Sequence, residues 1–212
     1  NKETFLKLSL ISKGVIATCA LVGFLMEMFL HGWHSIRYYT NQSNLLVVIF
    51  LITLLLKYRK EGRWSQWDIR LKGGMTVAIL LTGLVYHFML APLKTPEEFW
   101  TIENFLVHYI VPYGALLDWA LFDKGHCYKW WDPFVWTILP LAYAIISVAI
   151  ALITRIPIGN NPDGPFPDFY LNVDKYGILG VIQYSLGLAV AFLVGSYILV
   201  LFKNGFKSKE YL

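Results

Sequence analysis

The sequence predicts an all-α, polytopic membrane protein with six transmembrane helices, and three observations support this fold class. The chain of 212 residues is 57% hydrophobic and only 15% charged, whereas soluble domains carry about 25% charged residues. Six apolar segments approach or exceed the roughly 20 residues that a helix needs to cross a bilayer. These segments are continuous rather than alternating, which argues against a membrane β-barrel. Lipid is therefore the expected solvent for most of the chain.

The six segments define a single transmembrane domain covering residues 1–212. The first apolar run is too long for the core of a signal peptide, and no small-x-small cleavage site follows it. The second run is short unless the polar residues before it belong to the helix. Pro112 and Pro140 can kink the fourth and fifth helices. The predicted helices cover about residues 8–30, 39–57, 73–91, 102–122, 134–154 and 176–202.

The distribution of basic residues predicts the orientation of the helices. Fourteen of the eighteen Lys and Arg residues fall at the two termini and in the second and fourth connections, and this group includes Lys203, Lys207 and Lys209 at the C-terminus. Because Lys and Arg are retained on the cytoplasmic side, both termini are expected in the cytoplasm. The same bias accounts for the pI of about 8.9, so no nucleic-acid partner is expected.

Neither a metal site nor a cofactor is expected. The two cysteines, Cys19 and Cys127, share no motif and fall in a predicted helix and a loop, so they indicate neither a disulfide framework nor a zinc or iron–sulfur site. Phosphate-binding glycine motifs are absent, and the last helix has no lysine between Val181 and Val200 of the kind that binds retinal.

Polar side chains gather at one depth, toward the predicted outer ends of five of the six helices. Ionisable groups in lipid are costly unless they are paired or functional, so the shared depth favours a polar pocket in the outer leaflet. The alternative interpretation is that these groups are ordinary helix-end residues or interhelical hydrogen-bond partners. In the cytoplasmic half of the predicted helices, Asp118 is the only acidic side chain. The candidate pocket residues are Glu27, Thr40, Ser43, Asn44, Tyr86, His87, Asn104, His108 and Gln183.

The spacing of these residues suggests a type of chemistry. Thr40, Ser43 and Asn44 lie at i, i+3 and i+4 and share a helix face, and Asn104 and His108 share another. A hydroxyl facing an imidazole can form a base-activated nucleophile, and nearby amides can orient the groups or stabilise an oxyanion. Periodicity alone does not bring the two faces together.

The fifth connection, residues 155–177, is expected to form an ordered cap over the outer face. It carries four prolines, which restrict the backbone, and three aspartates at positions 163, 168 and 174. An ordinary turn-rich connection is the alternative.

Four segments resemble a bacterial family of small six-helix membrane proteins and follow the same order along the chain. They are RYYTNQSNLLVV, KGGMTVAILLTGLVYHFMLAP, NFLVHYIVPYGALLDWALFDKG and WWDPFVWTILPLAYAI. That family is distantly similar to the androgen-induced-gene type of animal membrane proteins. The resemblance implies an intramembrane hydrolase of fatty acid esters of hydroxy fatty acids, with a threonine and a histidine on different helices. The matching residues here are Thr40 and His108.

The resemblance leads to a first hypothesis: a lipid-ester hydrolase of the bacterial inner membrane that acts on membrane lipid or lipid-ester substrates. Thr40 would be the nucleophile and His108 the base, with Ser43 as a competing hydroxyl and His87 as a competing imidazole. Two further hypotheses stay open at this point. One is a non-catalytic receptor- or transporter-like protein that binds a lipid or small molecule, and the other is a structural factor whose polar groups only join helices.

Overall fold

The computed structural model describes residues 1–205, and within them the chain is all-helical with no β-strand. Six helices within residues 1–205 are long and apolar enough to cross a membrane, which confirms the predicted all-α fold class and suggests an integral membrane protein. Lys207 and Lys209, which contribute to the predicted charge bias, lie outside the described residues. The six helices are α1 (Lys2–His31), α2 (Tyr39–Glu61), α3 (Gln66–Leu93), α4 (Ile102–Phe122), α5 (Asp132–Thr154) and α6 (Val173–Gly205).

The connections between consecutive helices lie alternately at the two ends of the bundle, and Arg37 of the first connection bonds to Ile156 and Pro165 of the fifth. The connections 32–38, 94–101 and 155–172 therefore meet at one end of the bundle, which we call the cap end. Both ends of the described chain and the connections 62–65 and 123–131 meet at the other, which we call the terminal end. The bond from the Lys203 Nζ to the Ala120 carbonyl oxygen (2.8 Å) joins α6 to α4 at the terminal end.

The third helix begins earlier than the apolar segment that marks it, at Gln66 rather than near residue 73. A capping box formed by Ser65 and Asp68 starts this helix and satisfies its first amide groups. Arg70 follows and is buried against Asp132, and its guanidinium Nη2 lies 2.6 Å from the Asp132 Oδ1. Hydropathy detects only the apolar part of a helix, so a polar first turn that is capped and paired escapes it.

The largest cluster of buried apolar side chains among the described residues lies between the first four helices. Ala20 of α1 and Val47 of α2 are fully buried in a cluster that also contains residues of α3 and α4. A Cβ at Gly23 would lie 2.8 Å from Val107 Cγ1, so the absent side chain lets α1 approach α4 closely. The helices α5 and α6 are less buried and present apolar side chains outward, which suits contact with lipid.

A buried ionic cluster stands at the terminal end where the sequence pointed to an almost isolated Asp118. The Lys13 Nζ lies 3.1 Å from the Asp118 Oδ2. Lys72 also pairs with Asp118, and its Nζ lies 2.6 Å from the Asp123 Oδ1. Lys13 and Lys72 entered the predicted charge bias as cytoplasmic residues, but both are buried inside the bundle. They join α1, α3 and α4 as internal counter-ions.

Candidate functional site

Two interruptions of the α-helical hydrogen-bond pattern lie at the cap end, one in α3 and one in α4. Residues Tyr86–Leu90 and Leu106–Ile110 each form a π-helical turn. Prolines follow both turns at positions 92 and 112, and a proline has no amide hydrogen to bond to the carbonyl four residues earlier. Single π-helical turns are often found at functional sites. They change the direction of the side chains of Tyr86 and His108.

The approach of α3 to α4 fixes the plane of the His108 imidazole. Gly83 faces α4 so closely that a Cβ there would lie 3.0 Å from the His108 carbonyl oxygen and 3.0 Å from the Pro112 Cβ. The Tyr86 ring stacks on the imidazole with 3.7 Å between ring centroids and 15° between planes. His108 and Tyr86 are both buried. The imidazole is therefore held between an aromatic ring and its own helix.

Thr40, His108 and Asn104 form a hydrogen-bonded series. The Thr40 Oγ1 lies 3.2 Å from the His108 Nε2. The His108 Nδ1 lies 2.9 Å from the Asn104 Oδ1 and 3.1 Å from the Asn104 carbonyl oxygen. The Asn104 Nδ2 donates to the Phe99 carbonyl oxygen at 2.9 Å, which assigns the amide orientation. Since Nδ1 faces only acceptors it carries the hydrogen, and Nε2 presents its lone pair to the Thr40 hydroxyl.

Thr40 lies at the start of α2, where side chains of the next helical turn bind its backbone carbonyl. It is the second residue of this helix, so no carbonyl within the helix can accept from its amide group. The Thr40 carbonyl accepts from the Asn44 Nδ2 at 2.8 Å and from the Ser43 Oγ at 3.0 Å. The Asn44 Nδ2 also donates to the Val107 carbonyl oxygen at 3.1 Å, which ties α2 to the π-helical turn of α4.

A pocket opens beside Thr40 between α2, α3, α5, α6 and the connection that precedes α6. Its polar wall contains hydroxyl groups and one carboxylate, contributed by Tyr39, Thr40, Thr82, Tyr143, Asp168, Tyr170 and Ser185. The rest of the wall is mainly aliphatic and is formed by residues such as Leu81, Val85, Leu141, Leu171 and Leu188. A concave and mostly apolar cavity with a few converging polar groups is typical of a small-molecule site.

The connection between α5 and α6 closes this pocket and is ordered by its own contacts. Ile158 and Phe166 are fully buried within it. Arg37 binds it through guanidinium bonds to the carbonyl oxygens of Ile156 (2.8 Å) and Pro165 (2.6 Å). The Tyr143 hydroxyl lies 3.1 Å from the Asp168 Oδ2. Burial raises the pKa of Asp168 to about 6, although the hydroxyls of Tyr143 and Tyr170 oppose the shift.

The structure brings some of the sequence-predicted site residues together and separates others. Thr40, Asn104 and His108 are bonded to one another, Tyr86 stacks on the imidazole and lines the pocket, and Asn44 supports the Thr40 backbone. Ser43 is buried, with its Oγ 2.6 Å from the Thr82 Oγ1.

Three candidates are bonded to neither Thr40 nor His108. His87 is exposed, with its Nδ1 3.0 Å from the Tyr109 hydroxyl. Gln183 is exposed on α6. Glu27 lies beside His31 on α1, with 4.0 Å between the His31 Nε2 and the Glu27 Oε1. None of the three lines the pocket beside Thr40. His108 is not in the lining either, but it contacts Thr40 and Tyr86, which are.

The pocket contains functional groups that the helix-by-helix reading of the sequence did not select. Tyr143 and Tyr170 face the Asp168 carboxylate, and Tyr39 precedes Thr40 in the wall. The four prolines of residues 155–177 predicted an ordered cap. No helical periodicity in the sequence indicates that this cap contacts α2. The prolines at 92 and 112 were the available signal for the two π-helical turns, because each removes a helical amide donor.

Within residues 1–205, no group of three or more His, Cys, Asp or Glu side chains is arranged to hold a metal ion. No family model matches the chain, and searches of curated proteins and of solved structures found no similar protein. The function is therefore inferred from the chemistry of the pocket.

Proposed function

We propose that this protein is an intramembrane hydrolase of lipid esters, with Thr40 as the nucleophile and His108 as the general base. The observation that carries the proposal is the 3.2 Å distance between the Thr40 Oγ1 and the His108 Nε2, combined with the 2.9 Å contact of the His108 Nδ1 with the Asn104 Oδ1. A nucleophile bonded to a base, which a third group orients in turn, is the arrangement that activates hydroxyl nucleophiles.

The reaction would proceed in two halves. The His108 Nε2 removes the hydroxyl proton as the Thr40 Oγ1 attacks the ester carbonyl carbon. The resulting tetrahedral intermediate collapses, its bond to the alcohol oxygen breaks, and the proton on Nε2 passes to that leaving oxygen. Water then attacks the acyl-threonine ester with His108 again as the base, which releases the carboxylic acid and restores the Thr40 hydroxyl. Asn104 holds the imidazole in the required tautomer throughout.

The start of α2 is well placed to stabilise the oxyanion of the tetrahedral intermediate. The Thr40 amide has no acceptor within its helix, and the helix dipole places a partial positive charge at this end. The Nδ2 groups of Asn44 and Asn104, which the sequence offered as oxyanion donors, already donate to carbonyl oxygens. The geometry therefore favours the backbone for this role, with Asn104 orienting His108 and Asn44 holding Thr40.

The lining of the pocket supports a lipid ester as the substrate class. Its aliphatic wall suits an acyl chain, and its hydroxyl-bearing wall adjoins Thr40. Fatty acid esters of hydroxy fatty acids, which the family resemblance implies, are one member of the class.

An alkyl fluorophosphonate tests the proposed nucleophile without knowledge of the natural ester. An activated hydroxyl attacks its phosphorus and expels fluoride, so we expect a stable adduct on the peptide that contains Thr40. Mass spectrometry of the full-length protein in lipid nanodiscs locates the adduct, and the same preparation is assayed with fatty acid esters. Ser43→Ala should be labelled like the unmodified protein, whereas His108→Ala should not be labelled.

Labelling at Ser43 would contradict the assignment of the nucleophile. Absence of labelling together with absence of turnover on any long-chain ester would contradict the hydrolase itself. Binding of an ester without turnover would then favour the non-catalytic lipid-binding alternative.

We also propose that the protein resides in a bacterial inner membrane with both termini in the cytoplasm and the pocket on the outer side. The excess of Lys and Arg at the terminal end supports this orientation. Alkaline phosphatase fused within the connection 94–101 should be active in bacterial cells, and the same enzyme fused after residue 212 should be inactive. The opposite pattern would reverse the orientation.

A further inference from the structure

Asp168 is the only carboxylate in the wall of the pocket formed by the described residues, and the proposed reaction does not use it. It lies just before a short 3₁₀ turn, Phe169–Leu171, that directs Tyr170 and Leu171 into the same wall. An ionised carboxylate accepts hydrogen bonds but donates none. Its position therefore imposes a chemical requirement on whatever occupies that end of the pocket.

A short series of polar contacts leads from the reacting threonine to Asp168. The amide of Tyr39, the residue before Thr40, donates to the Tyr143 hydroxyl oxygen at 3.0 Å. That hydroxyl lies 3.1 Å from the Asp168 Oδ2. Two hydrogen-bond lengths thus separate the start of α2 from the carboxylate. Thr40 and Asp168 line the same pocket, so an ester bound at Thr40 would extend its alcohol part or its acyl part along the wall that contains this carboxylate.

The pocket offers no positive charge to balance a substrate carboxylate. None of its lining residues is Lys, Arg or His. The Arg37 guanidinium is held by the carbonyl oxygens of Ile156 and Pro165, and that of Arg155 pairs with Asp174. A carboxylate placed beside Asp168 would therefore face a like charge in a desolvated site, which is strongly unfavourable. A hydroxyl group there would donate to the carboxylate instead.

We propose that Asp168 is a specificity-determining residue, which selects lipid esters carrying a free hydroxyl near the ester bond and disfavours those carrying a carboxylate there. Long-chain monoacylglycerols have the favoured chemistry. Fatty acid esters of hydroxy fatty acids have the disfavoured chemistry whenever their carboxylate points toward the cap. This inference rests on the proposed hydrolase function and narrows its substrate class. Specificity of this kind arises from a group that penalises the wrong ligand as well as from one that binds the right ligand.

The test compares two esters of equal acyl length, a monoacylglycerol and a fatty acid ester of a hydroxy fatty acid, by the ratio of their kcat/KM values. At about pH 8 Asp168 is ionised, since its pKa is raised only to about 6. Asp168→Asn keeps the size and hydrogen-bonding ability of the side chain but removes the charge. We expect the ratio to fall about tenfold in this variant, because like charges in a buried contact are costly.

Asp174→Asn is the matched control. Asp174 is an exposed carboxylate at the same end of the molecule, paired with Arg155 outside the pocket, with 2.6 Å between the Arg155 Nη1 and the Asp174 Oδ2. Asp174→Asn removes an equal charge outside the pocket, so the ratio of the two kcat/KM values should match that of the unmodified protein. An unchanged ratio in Asp168→Asn, or an equal change in both variants, would overturn the proposal.

A binding measurement tests ligand selection by Asp168 independently of the proposed hydrolase activity. A monoalkylglycerol ether and a fatty acid of equal chain length cannot be hydrolysed, and their dissociation constants can be measured in nanodiscs. We expect the unmodified protein to prefer the ether and Asp168→Asn to lose about tenfold of that preference. If no ester is turned over but this shift occurs, the hydrolase is wrong and Asp168 still selects the ligand. Equal preference in both proteins would overturn the role of Asp168.

Discussion

Thr40→Ala and His108→Ala are each expected to lower kcat for lipid-ester hydrolysis by at least about 10³-fold, since removal of a nucleophile or its base typically costs this much or more. Thr40 supplies the attacking oxygen and His108 accepts its proton over a 3.2 Å contact. The double variant should lose little more than either single variant, because groups that act as a unit are not additive. The measurement is kcat under saturating ester in nanodiscs.

His87→Ala is the control for this comparison. His87 is another imidazole at the same end of the bundle, but it is exposed and bonded to Tyr109, so its removal should leave kcat within about twofold. Full activity in both Thr40→Ala and His108→Ala would exclude the proposed pair. A large loss in His87→Ala with none in His108→Ala would transfer the role of base to His87.

Asp118→Asn is expected to lower the free energy of unfolding by about 3–5 kcal/mol, the usual cost of breaking a buried ion pair. Asp118 accepts from both Lys13 and Lys72, and all three side chains are buried. Without its charge, two buried ammonium groups would depend on Asp123 alone. Reversible unfolding in detergent micelles, followed by tryptophan fluorescence, measures the change.

Glu3→Gln provides the matched control for Asp118→Asn. Glu3 also pairs with a lysine, Lys7, at 2.7 Å between the Glu3 Oε1 and the Lys7 Nζ, but both side chains are about two-thirds exposed. An exposed pair of this kind contributes less than about 1 kcal/mol. Similar stability losses in the two variants would show that the ionic cluster does not hold the terminal end together.

The buried ionic cluster shows why hydropathy predicted the apolar middle of each helix better than its ends. Apolar length reports the need to satisfy backbone groups inside a lipid phase, and it identified six helices. It does not report that Lys72 is buried beside two aspartates, because a lysine in a loop and a lysine in an internal ion pair look the same in sequence. Hydropathy also did not predict that α3 begins at Gln66, because the first turns of this helix are polar.

The candidate site divides in a similar way. Periodicity placed Asn104 and His108 on one helix face, and the family resemblance paired His108 with Thr40. The turn-rich composition of residues 155–177 indicated a cap, yet the contact of Asp168 with Tyr143 depends on residues 25 positions apart on different elements. Such contacts follow from helix packing, which no local pattern encodes.

The sequence by itself determined that the chain forms six membrane-length helices, because the need to satisfy backbone groups in lipid depends on the local length and composition of each apolar segment. Only the tertiary structure decided which polar groups meet. The close approach at Gly83 and the π-helical turns at Tyr86 and His108 bring Thr40 to the imidazole and leave His87 at the surface. These outcomes depend on how the helices pack against one another, which involves residues far apart in the sequence.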